Sequence, residues 1–272
     1  MRIPRALTIA GSDSGAGAGI QADLKTFAAL GVYGMSAVTA LTAQNTVSIR
    51  AIMALPAEFV SAQIHAVVED MGVDAVKTGM LADAAIILKV ATDIRNLKLD
   101  NLVVDPVMMA KGGEYLVSRD ALEPMVQELF PLATVVTPNL QEAAALANLR
   151  VTDEDGMKEA AYRLKEFGPR YVLIKGGHLS GLPVDLLYDG RVFKTFTSSR
   201  HHTKHTHGTG CTFASAIAAG LSCGLGVENA VRKAKAFVSG AIERGLPLGK
   251  GNGPVHHFFD LYSAAGLDFE HR

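Results

Sequence analysis

The residues that could do chemistry in this chain lie where apolar runs end and glycine-rich turns begin. Asp105 and Lys175 each end a strand-like run, and the turn GTGC at residues 208–211 precedes a helical pattern. Glycines let consecutive backbone N–H groups point in one direction, and a helix N-terminus adds unpaired donors and partial positive charge. The turn therefore predicts an anion hole for a phosphoryl group, although the same glycines would also suit a turn before a tightly packed helix.

A second pattern, N-x-x-E at Asn139 and Glu142, opens another predicted helix. The i, i+3 spacing places both side chains on one helical face. Together with Asp105, these side chains offer the carboxylate and amide oxygens that Mg²⁺ prefers. The alternative, which the two residues by themselves favour, is that Asn139 caps the helix and Glu142 completes a capping box.

Cys211 and Lys175 are the reactive side chains at these strand and helix ends. A thiol at a helix N-terminus is expected to have a lowered pKa, so Cys211 could act as a base or a nucleophile. Lys175 is either a phosphate-binding point charge or a side chain that reaches back to solvent. Cys223 falls late in the same helical pattern among small residues, where packing accounts for it.

Four histidines before the GTGC turn suggest zinc coordination together with Cys211. They are His201, His202, His205 and His207. Their segment lacks helical periodicity, and no second ligand cluster of defined spacing accompanies it. We therefore favour a site without zinc.

The glycine cluster of residues 11–19 leads into the GxGxxA variant of the dinucleotide fingerprint, at Gly17, Gly19 and Ala22. The loop is long rather than tight, and no acidic residue lies between Asp23 and Glu58 to bind a ribose. Nicotinamide binding is therefore disfavoured.

An alternation of strands and helices must position these residues. Strands are predicted at residues 6–10, 34–41, 75–78, 102–105, 135–137, 171–175, 185–188 and 192–197. Helices are predicted at residues 21–30, 57–71, 84–96, 119–130, 140–149, 155–167, 210–224 and 227–245. This order predicts a mainly parallel sheet with helices on both faces, and Asp189 with Gly190 predicts a hairpin near one edge. Ligands bind beyond the carboxyl ends of such strands, where the residues above would meet.

Composition and charge exclude several classes of protein. The 272 residues carry 26 Lys plus Arg and 27 Asp plus Glu, so there is no broad basic field for nucleic acid or a membrane surface. Hydrophobic residues make up 49% of the chain, which excludes extensive disorder. Two cysteines cannot form a disulfide framework, and neither a membrane-spanning run nor a signal-peptide core is found. We expect one cytoplasmic domain over residues 1–272.

Seven motifs, in order along nearly the whole chain, resemble those of the hydroxymethylpyrimidine/phosphomethylpyrimidine kinases of thiamine biosynthesis, in the ribokinase-like superfamily. They are ALTIAGSDSGAGAGIQAD (6–23), TAQNT (42–46), KTGML (77–81), VVDPVMMAK (103–111), VTPNLQE (136–142), IKGGH (174–178) and THGTGCT (206–212). Any one of them is a weak signal, whereas the ordered set is highly specific.

The resemblance implies a ribokinase-like α/β fold, which is a three-layer sandwich with a mainly parallel central sheet flanked by helices. It also implies two ATP-dependent phosphorylations. The first modifies the hydroxymethyl group of 4-amino-5-hydroxymethyl-2-methylpyrimidine, and the second modifies the resulting monophosphate. By the same analogy the protein would be a homodimer.

The resemblance also assigns roles to single residues. The implied catalytic residues are Cys211 as the base, where related enzymes have aspartate, together with Lys175, Gly208, Thr209 and Gly210. The implied Mg²⁺ site is formed by Asp105, Asn139 and Glu142. The implied pyrimidine site is formed by Gly11, Asp23, Gln44, Met80 and Val107.

Two other functions fit parts of this pattern. A pyridoxal kinase, or a dual pyridoxal and pyrimidine kinase of the same superfamily, shares the cysteine and most glycine motifs. Gln44 favours the pyrimidine, because an amide pairs with an aminopyrimidine edge through one donor and one acceptor. A non-catalytic protein of this fold would lack Cys211, Lys175 or Glu142, and all three are present.

Residues 106–116, which include Gly112 and Gly113, are expected to close over the site and exclude water.

Overall fold

The computed structural model describes residues 2–109, 116, 118–177, 179 and 181–267, and the strands in this part of the chain form one sheet. They are β1 (Arg5–Asp13), β2 (Tyr33–Gln44), β3 (Ile49–Ala54), β4 (Ala75–Thr78), β5 (Leu102–Val104), β6 (Val135–Val136), β7 (Tyr171–Gly176), β8 (Val184–Tyr188) and β9 (Phe193–Thr197). Their order across the sheet is β3-β2-β1-β4-β5-β6-β7-β8-β9. From β2 to β7 in that order all neighbours are parallel, which confirms the predicted mainly parallel sheet.

Both edges of the sheet are antiparallel. The predicted hairpin is formed by β8 and β9, and Asp189 Oδ1 accepts hydrogen bonds from the backbone of Arg191 and Val192 in its turn. At the other edge β3 pairs with β2, and this strand is not among those predicted. Most side chains of β3 are exposed, so no buried face imposes an alternating pattern on its sequence.

Helices cover both faces of the sheet. They are α1 (Gly19–Ala29), α2 (Ala57–Met71), α3 (Ala84–Asn96), α4 (Leu122–Pro124), α5 (Leu140–Ala147), α6 (Glu154–Glu166), α7 (Thr209–Ser222), α8 (Val227–Glu243) and α9 (Phe259–Ala264). Successive side chains of β1 point to opposite faces of the sheet. Leu7 and Ile9 pack in the core formed with α2, α3, α5 and α6. Ala6 packs in the second core, formed with α1, α7 and α8. The predicted three layers are therefore confirmed. None of the helices in the described ranges combines the length and apolar character needed to cross a membrane.

The helix predicted at residues 119–130 is irregular. It consists of a 3-10 turn (Arg119–Ala121), the single turn of α4, a π-helical segment (Met125–Leu129) and a second 3-10 turn (Phe130–Leu132). Pro124 and Pro131 have no N–H to donate to an α-helical ladder, which accounts for the changes in hydrogen-bond spacing.

Parts of two motifs lie outside the described residues. These parts include Lys111 and His178. Gly112 and Gly113 of the predicted closing loop also lie outside the described residues.

Candidate active site

The carboxyl ends of several strands meet the N-terminus of α7 at one edge of the sheet. Asp105 directly follows β5, Lys175 lies near the end of β7, and Cys211 lies in the first turn of α7. A β carbon on Gly210 would lie 3.4 Å from Lys175 Nζ and 3.8 Å from Asp105 Oδ2. The cation, the carboxylate and the helix terminus are therefore adjacent.

The start of α7 is open to an anion, because no side chain caps it. Its N-cap residue, Gly208, has a φ of +82°, and a β carbon there would lie 1.8 Å from Gly17 O. Only glycine allows this conformation and this close approach, which packs the loop of residues 13–19 against the helix terminus. N–H groups of the first turn that have no intrahelical partner can then face a phosphoryl group.

Lys175 and Asp105 form an ion pair at the centre of the site. Lys175 Nζ lies 2.7 Å from Asp105 Oδ1, which also accepts a hydrogen bond of 3.0 Å from Thr137 Oγ1. Burial would lower the pKa of Lys175, but the charges of Asp105 and Glu142 raise it above its usual value. Lys175 is therefore a fixed positive charge at neutral pH.

Glu142 adds a second buried carboxylate near Lys175. Asn139 Oδ1 accepts hydrogen bonds from the backbone of Gln141 and Glu142, and Glu142 Oε2 accepts one of 2.7 Å from Asn139 N. The capping-box interpretation is therefore confirmed. Burial raises the pKa of Glu142 to about 7, with Lys175 opposing and Asp105 adding to the rise. The side-chain oxygen of Asn139 is engaged in capping. The carboxylates of Asp105 and Glu142 offer hard oxygen donors for a divalent cation.

The surroundings of Cys211 differ from those expected for a thiol at a helix N-terminus. Burial raises the pKa of Cys211 to about 11, and the charges of Asp23 and Asp105 add to the rise. Lys77 and a hydrogen bond from the N–H of Gly19 oppose it. The expectation of a lowered thiol pKa is wrong, because desolvation of the thiolate outweighs these stabilising groups.

Four of the residues predicted to bind the pyrimidine lie at the carboxyl ends of β1, β2, β4 and β5. Gly11 N donates a hydrogen bond of 3.1 Å to Met80 O, and a β carbon on Gly11 would lie 3.0 Å from Met80 Sδ. Val107 follows Asp105 by two residues and is half-buried. Gln44 is held by the hydroxyl of Ser14, which donates to Gln44 O at 2.7 Å and accepts from Gln44 N at 2.8 Å.

Asp23, the fifth of these residues, lies behind the site. Its side chain has no exposed surface and binds Lys77 Nζ at 2.9 Å, with Thr8 Oγ1 and Ser215 Oγ at 2.6 Å each. A ligand could reach Asp23 only by displacing one of these partners. Its charge nevertheless acts on Cys211.

Three polar residues of this region are absent from the predicted site: Lys77, Asp13 and His207. Lys77 is fully buried in β4, and a lysine within an otherwise apolar run is the signal that could have identified it. Asp13, at the end of β1, accepts hydrogen bonds from three N–H groups of the loop 13–19 and lies 2.8 Å from His207 Nε2. This pair joins the loop to the residue that precedes Gly208.

The histidines before α7 do not support zinc. His207 binds Asp13, and His201 Nε2 lies 3.2 Å from Ser239 Oγ. Within the described ranges, no group of three or more His, Cys, Asp or Glu side chains could hold a metal ion.

A groove of about 630 Å³ lies between β9 and α8, beside the segment that leads into α7. Its lining includes hydroxyl, basic and acidic side chains, and Lys235 is one of the basic residues. Lys235 Nζ lies 2.6 Å from Asp185 Oδ2, and Asp185 Oδ1 accepts a hydrogen bond from Gly176 N at 3.1 Å. The groove is thus connected to the strand that carries Lys175.

Comparisons with known proteins found related sequences and structures. The family described as phosphomethylpyrimidine kinase matches residues 13–256. The hydroxymethylpyrimidine/phosphomethylpyrimidine kinase of Streptomyces coelicolor is 53% identical over 258 residues, which cover 95% of this chain and 96% of that protein. The thiamine biosynthesis bifunctional protein ThiED of Geobacter sulfurreducens is 52% identical over 92% of this chain, which spans about half (51%) of that protein's length. The crystal structure of Bacillus subtilis pyridoxal kinase in complex with ADP has a TM-score of 0.89 at 41% identity, covering 94% of this chain and 98% of that one.

Proposed function

Because this chain belongs to the phosphomethylpyrimidine kinase family, we propose that it transfers the terminal phosphoryl group of ATP to the hydroxymethyl oxygen of 4-amino-5-hydroxymethyl-2-methylpyrimidine. The monophosphate then accepts a second phosphoryl group to give the diphosphate for thiamine biosynthesis. The observation that carries the proposal is the meeting of Lys175, Asp105 and the open terminus of α7 at Gly210. Phosphoryl transfer needs mainly positioning and charge stabilisation, and these groups supply both.

The phosphoryl group in transfer would lie at the N-terminus of α7. The backbone N–H of Gly210 would bind its oxygens, as would that of Thr209 in place of its long contact of 3.4 Å with Thr206 O. Lys175 would neutralise part of its charge. Because the folded chain already holds these donors in place, little reorganisation would accompany the reaction.

Cys211 would take the proton of the acceptor hydroxyl as its oxygen attacks phosphorus. The thiol must first lose its own proton, and with a pKa of about 11 the thiolate is a minor form at neutral pH. The buried ammonium of Lys77 favours the thiolate. In the second phosphorylation the acceptor is a phosphate group, which is already largely ionised at neutral pH and needs no such base.

Mg²⁺ would be held by Asp105 and Glu142, with water and phosphate oxygens completing its coordination. The raised pKa of the buried Glu142 fits this role, because a bound cation would stabilise its ionised form. Asn139 would position Glu142 through the capping box. When bound, Mg²⁺ would neutralise charge on the phosphates of ATP.

The pyrimidine would pair with the side-chain amide of Gln44, beside Gly11, Met80 and Val107. The base and ribose of ATP would occupy the groove between β9 and α8, whose volume suits a small ligand. One of its lining residues, Lys235, pairs with Asp185, which is the sheet partner of Lys175. The ADP bound to the Bacillus subtilis relative supports a nucleotide site in this fold.

An assay of ATP consumption tests the proposal, with hydroxymethylpyrimidine, its monophosphate and pyridoxal compared side by side. We expect consumption with both pyrimidines, and mass spectrometry should detect the added phosphates. No consumption with either pyrimidine would reject the proposed function. Pyridoxal is the second candidate substrate, because the Bacillus subtilis pyridoxal kinase shares the fold. A higher kcat/KM for pyridoxal would favour that function instead.

The family resemblance further implies a cytoplasmic homodimer, which we include in the proposal. Light scattering after size-exclusion chromatography tests the subunit number, and a mass near that of one 28.7 kDa chain would contradict it.

A further inference from the structure

The side-chain amide of Gln44 lies between two groups whose hydrogen-bonding roles are determined by other contacts. As placed, Gln44 Oε1 lies 3.2 Å from Thr42 Oγ1, and Gln44 Nε2 lies 3.5 Å from His207 Nε2. The oxygen and the nitrogen of an amide have nearly the same shape, so their partners decide which atom occupies which position.

The hydroxyl of Thr42 requires a donor from Gln44. Thr42 Oγ1 lies 2.8 Å from Ser12 O, a carbonyl oxygen that can only accept, so the single hydroxyl hydrogen is donated there. Toward Gln44 the hydroxyl then offers only a lone pair. The amide nitrogen therefore satisfies this contact, and the amide oxygen does not.

His207 cannot accept a hydrogen bond from Gln44. Its Nε2 lies 2.8 Å from Asp13 Oδ2, and hydrogen bonds from His207 and from the loop 13–19 lower the pKa of Asp13 against the opposing effect of burial. Because an ionised carboxylate only accepts, His207 Nε2 carries the hydrogen. This hydrogen is donated to Asp13, and a protonated ring nitrogen has no lone pair with which to accept an amide N–H. The Gln44 atom that faces it at 3.5 Å is therefore the amide oxygen rather than the nitrogen.

We propose that His207, held by Asp13, fixes the Gln44 amide with its oxygen toward His207 and its nitrogen toward Thr42, and so determines which pyrimidine is accepted. This inference rests on the proposed function. The substrate's hydroxymethyl group must reach α7, and its 4-amino group is on the neighbouring ring carbon. The amine would therefore lie on the His207 side, where the amide oxygen accepts its hydrogen, while the amide nitrogen donates to the ring nitrogen.

An oxo-pyrimidine would be rejected by the same arrangement. In 5-hydroxymethyl-2-methylpyrimidin-4-one a carbonyl oxygen replaces the amine, and the adjacent ring nitrogen carries a hydrogen. Pairing would need a reversed Gln44 amide, which would place donor against donor at His207 and acceptor against acceptor at Thr42. A site that pairs with the donor and acceptor of the amino-pyrimidine therefore discriminates strongly against the oxo-pyrimidine. Binding the oxo-pyrimidine would leave hydrogen-bonding groups of the site without partners.

The test compares kcat/KM for the amino- and oxo-pyrimidines in wild-type protein and in variants at residue 207. His207→Leu removes the donor, so Gln44 can reverse, and we expect the preference for the amine to fall by at least about tenfold. His207→Gln keeps a donor at a similar position and should restore most of the preference. His202→Leu is the matched control, because this exposed histidine lies five residues away and should leave the preference unchanged.

An unchanged preference in folded His207→Leu would overturn the inference. If that variant does not fold, Thr42→Val is the substitute. It removes the acceptor for the Gln44 nitrogen with little change in shape, and a preference equal to that of the wild type would overturn the inference too. Calorimetric Kd values for the two pyrimidines give the same ratio without turnover. Failure of the wild-type protein to phosphorylate either pyrimidine would reject the proposed function, whereas equal Kd values for the two pyrimidines would reject this inference.

Discussion

Lys77 Nζ lies 2.9 Å from Asp23 Oδ2, and neither side chain has any exposed surface. The pair joins β4 to α1 beneath the candidate active site, and Thr8 and Ser215 donate to the same carboxylate. Burial alone would lower the pKa of Lys77, but the charge of Asp23 raises it well above its usual value. Lys77 therefore stays charged inside the protein, and both Lys77 and Asp23 act electrostatically on Cys211.

Replacing Lys77 with methionine should lower the free energy of unfolding by about 3–5 kcal/mol, because it leaves Asp23 as an unpaired buried charge. Urea denaturation measures this loss. The matched control is Lys89→Met, since Lys89 pairs at 3.0 Å with Glu58, whose side chain is 82% exposed. Exposed pairs contribute about 1 kcal/mol or less, so equal losses in the two variants would contradict this account.

Loss of the Cys211 thiol should affect the first phosphorylation far more than the second. A hydroxyl acceptor must lose a proton, whereas the monophosphate is already ionised. We expect Cys211→Ala to lower the rate with hydroxymethylpyrimidine at least about 100-fold, and the rate with the monophosphate less than about tenfold. Single-turnover kinetics with each acceptor measure both rates, and equal losses would remove the thiol from proton transfer. Cys223→Ala, at an exposed position, should change neither rate.

The rate of the first phosphorylation should rise with pH. Burial raises the pKa of Cys211 to about 11, so the thiolate fraction grows as pH increases from neutrality toward that value. Lys175 does not titrate over the same interval, because its pKa is also raised. Glu142, whose pKa is about 7, is kept ionised by saturating Mg²⁺ in these assays. A Cys211→Asp variant, with a carboxylate ionised throughout, should show a flat profile between about pH 7 and 9. Single-turnover rates across this interval distinguish the two, and a flat wild-type profile would contradict the assignment.

Replacing Glu142 with glutamine should stabilise the metal-free protein at alkaline pH while lowering its activity. Burial raises the pKa of Glu142 from 4.5 to about 7, so the folded protein binds this proton more tightly than the unfolded chain does. Stability from this group is present below 4.5 and is lost as pH rises through about 7. Glutamine stays neutral, and a shift of this size corresponds to roughly 3 kcal/mol at pH 8.

Thermal unfolding at pH 5 and pH 8 in a chelating buffer checks the Glu142 prediction. A gain in Tm at pH 8 that disappears at pH 5 is expected. Added Mg²⁺ should raise the Tm of the wild-type protein more than that of the variant, and equal shifts would argue against Glu142 as a ligand.

Substituting Gly208 with alanine should disrupt the contact between loop 13–19 and α7. The new β carbon would lie 1.8 Å from Gly17 O, so the helix terminus or the loop must move, and we expect kcat/KM to fall at least about 100-fold. Gly224→Ala is the matched control, because Gly224 has a φ of +79° but no atom within 4 Å of its β-carbon position. Steady-state kinetics on both variants separate the steric contact from backbone strain. Similar kcat/KM losses would mean that strain alone matters.

Much of the fold follows from local patterns. The predicted bounds of α2, α3 and β4 agree with the structure to the residue, and Asp83, just before α3, accepts a hydrogen bond from Ile86 N at its start. Each of these elements buries apolar side chains against the core, so apolar residues recur along its sequence in a pattern that predicts the element. The edge strand β3 buries little, and the π-helical turn after α4 depends on two prolines, so neither shows a clear period.

The sequence by itself determined the family. It also predicted that the candidate residues meet at one edge of the sheet, because parallel strands end together and the motifs lie at their ends. The tertiary structure decided what surrounds those residues. Asp23 and Lys77 pair across 54 positions, and the Gln44 amide meets His207 across 163. The pKa of Cys211 rises because segments distant in the sequence pack around the half-buried thiol and desolvate it, despite its place at a helix terminus. Desolvation and long-range hydrogen bonds depend on how distant segments pack, and local sequence patterns do not contain that information.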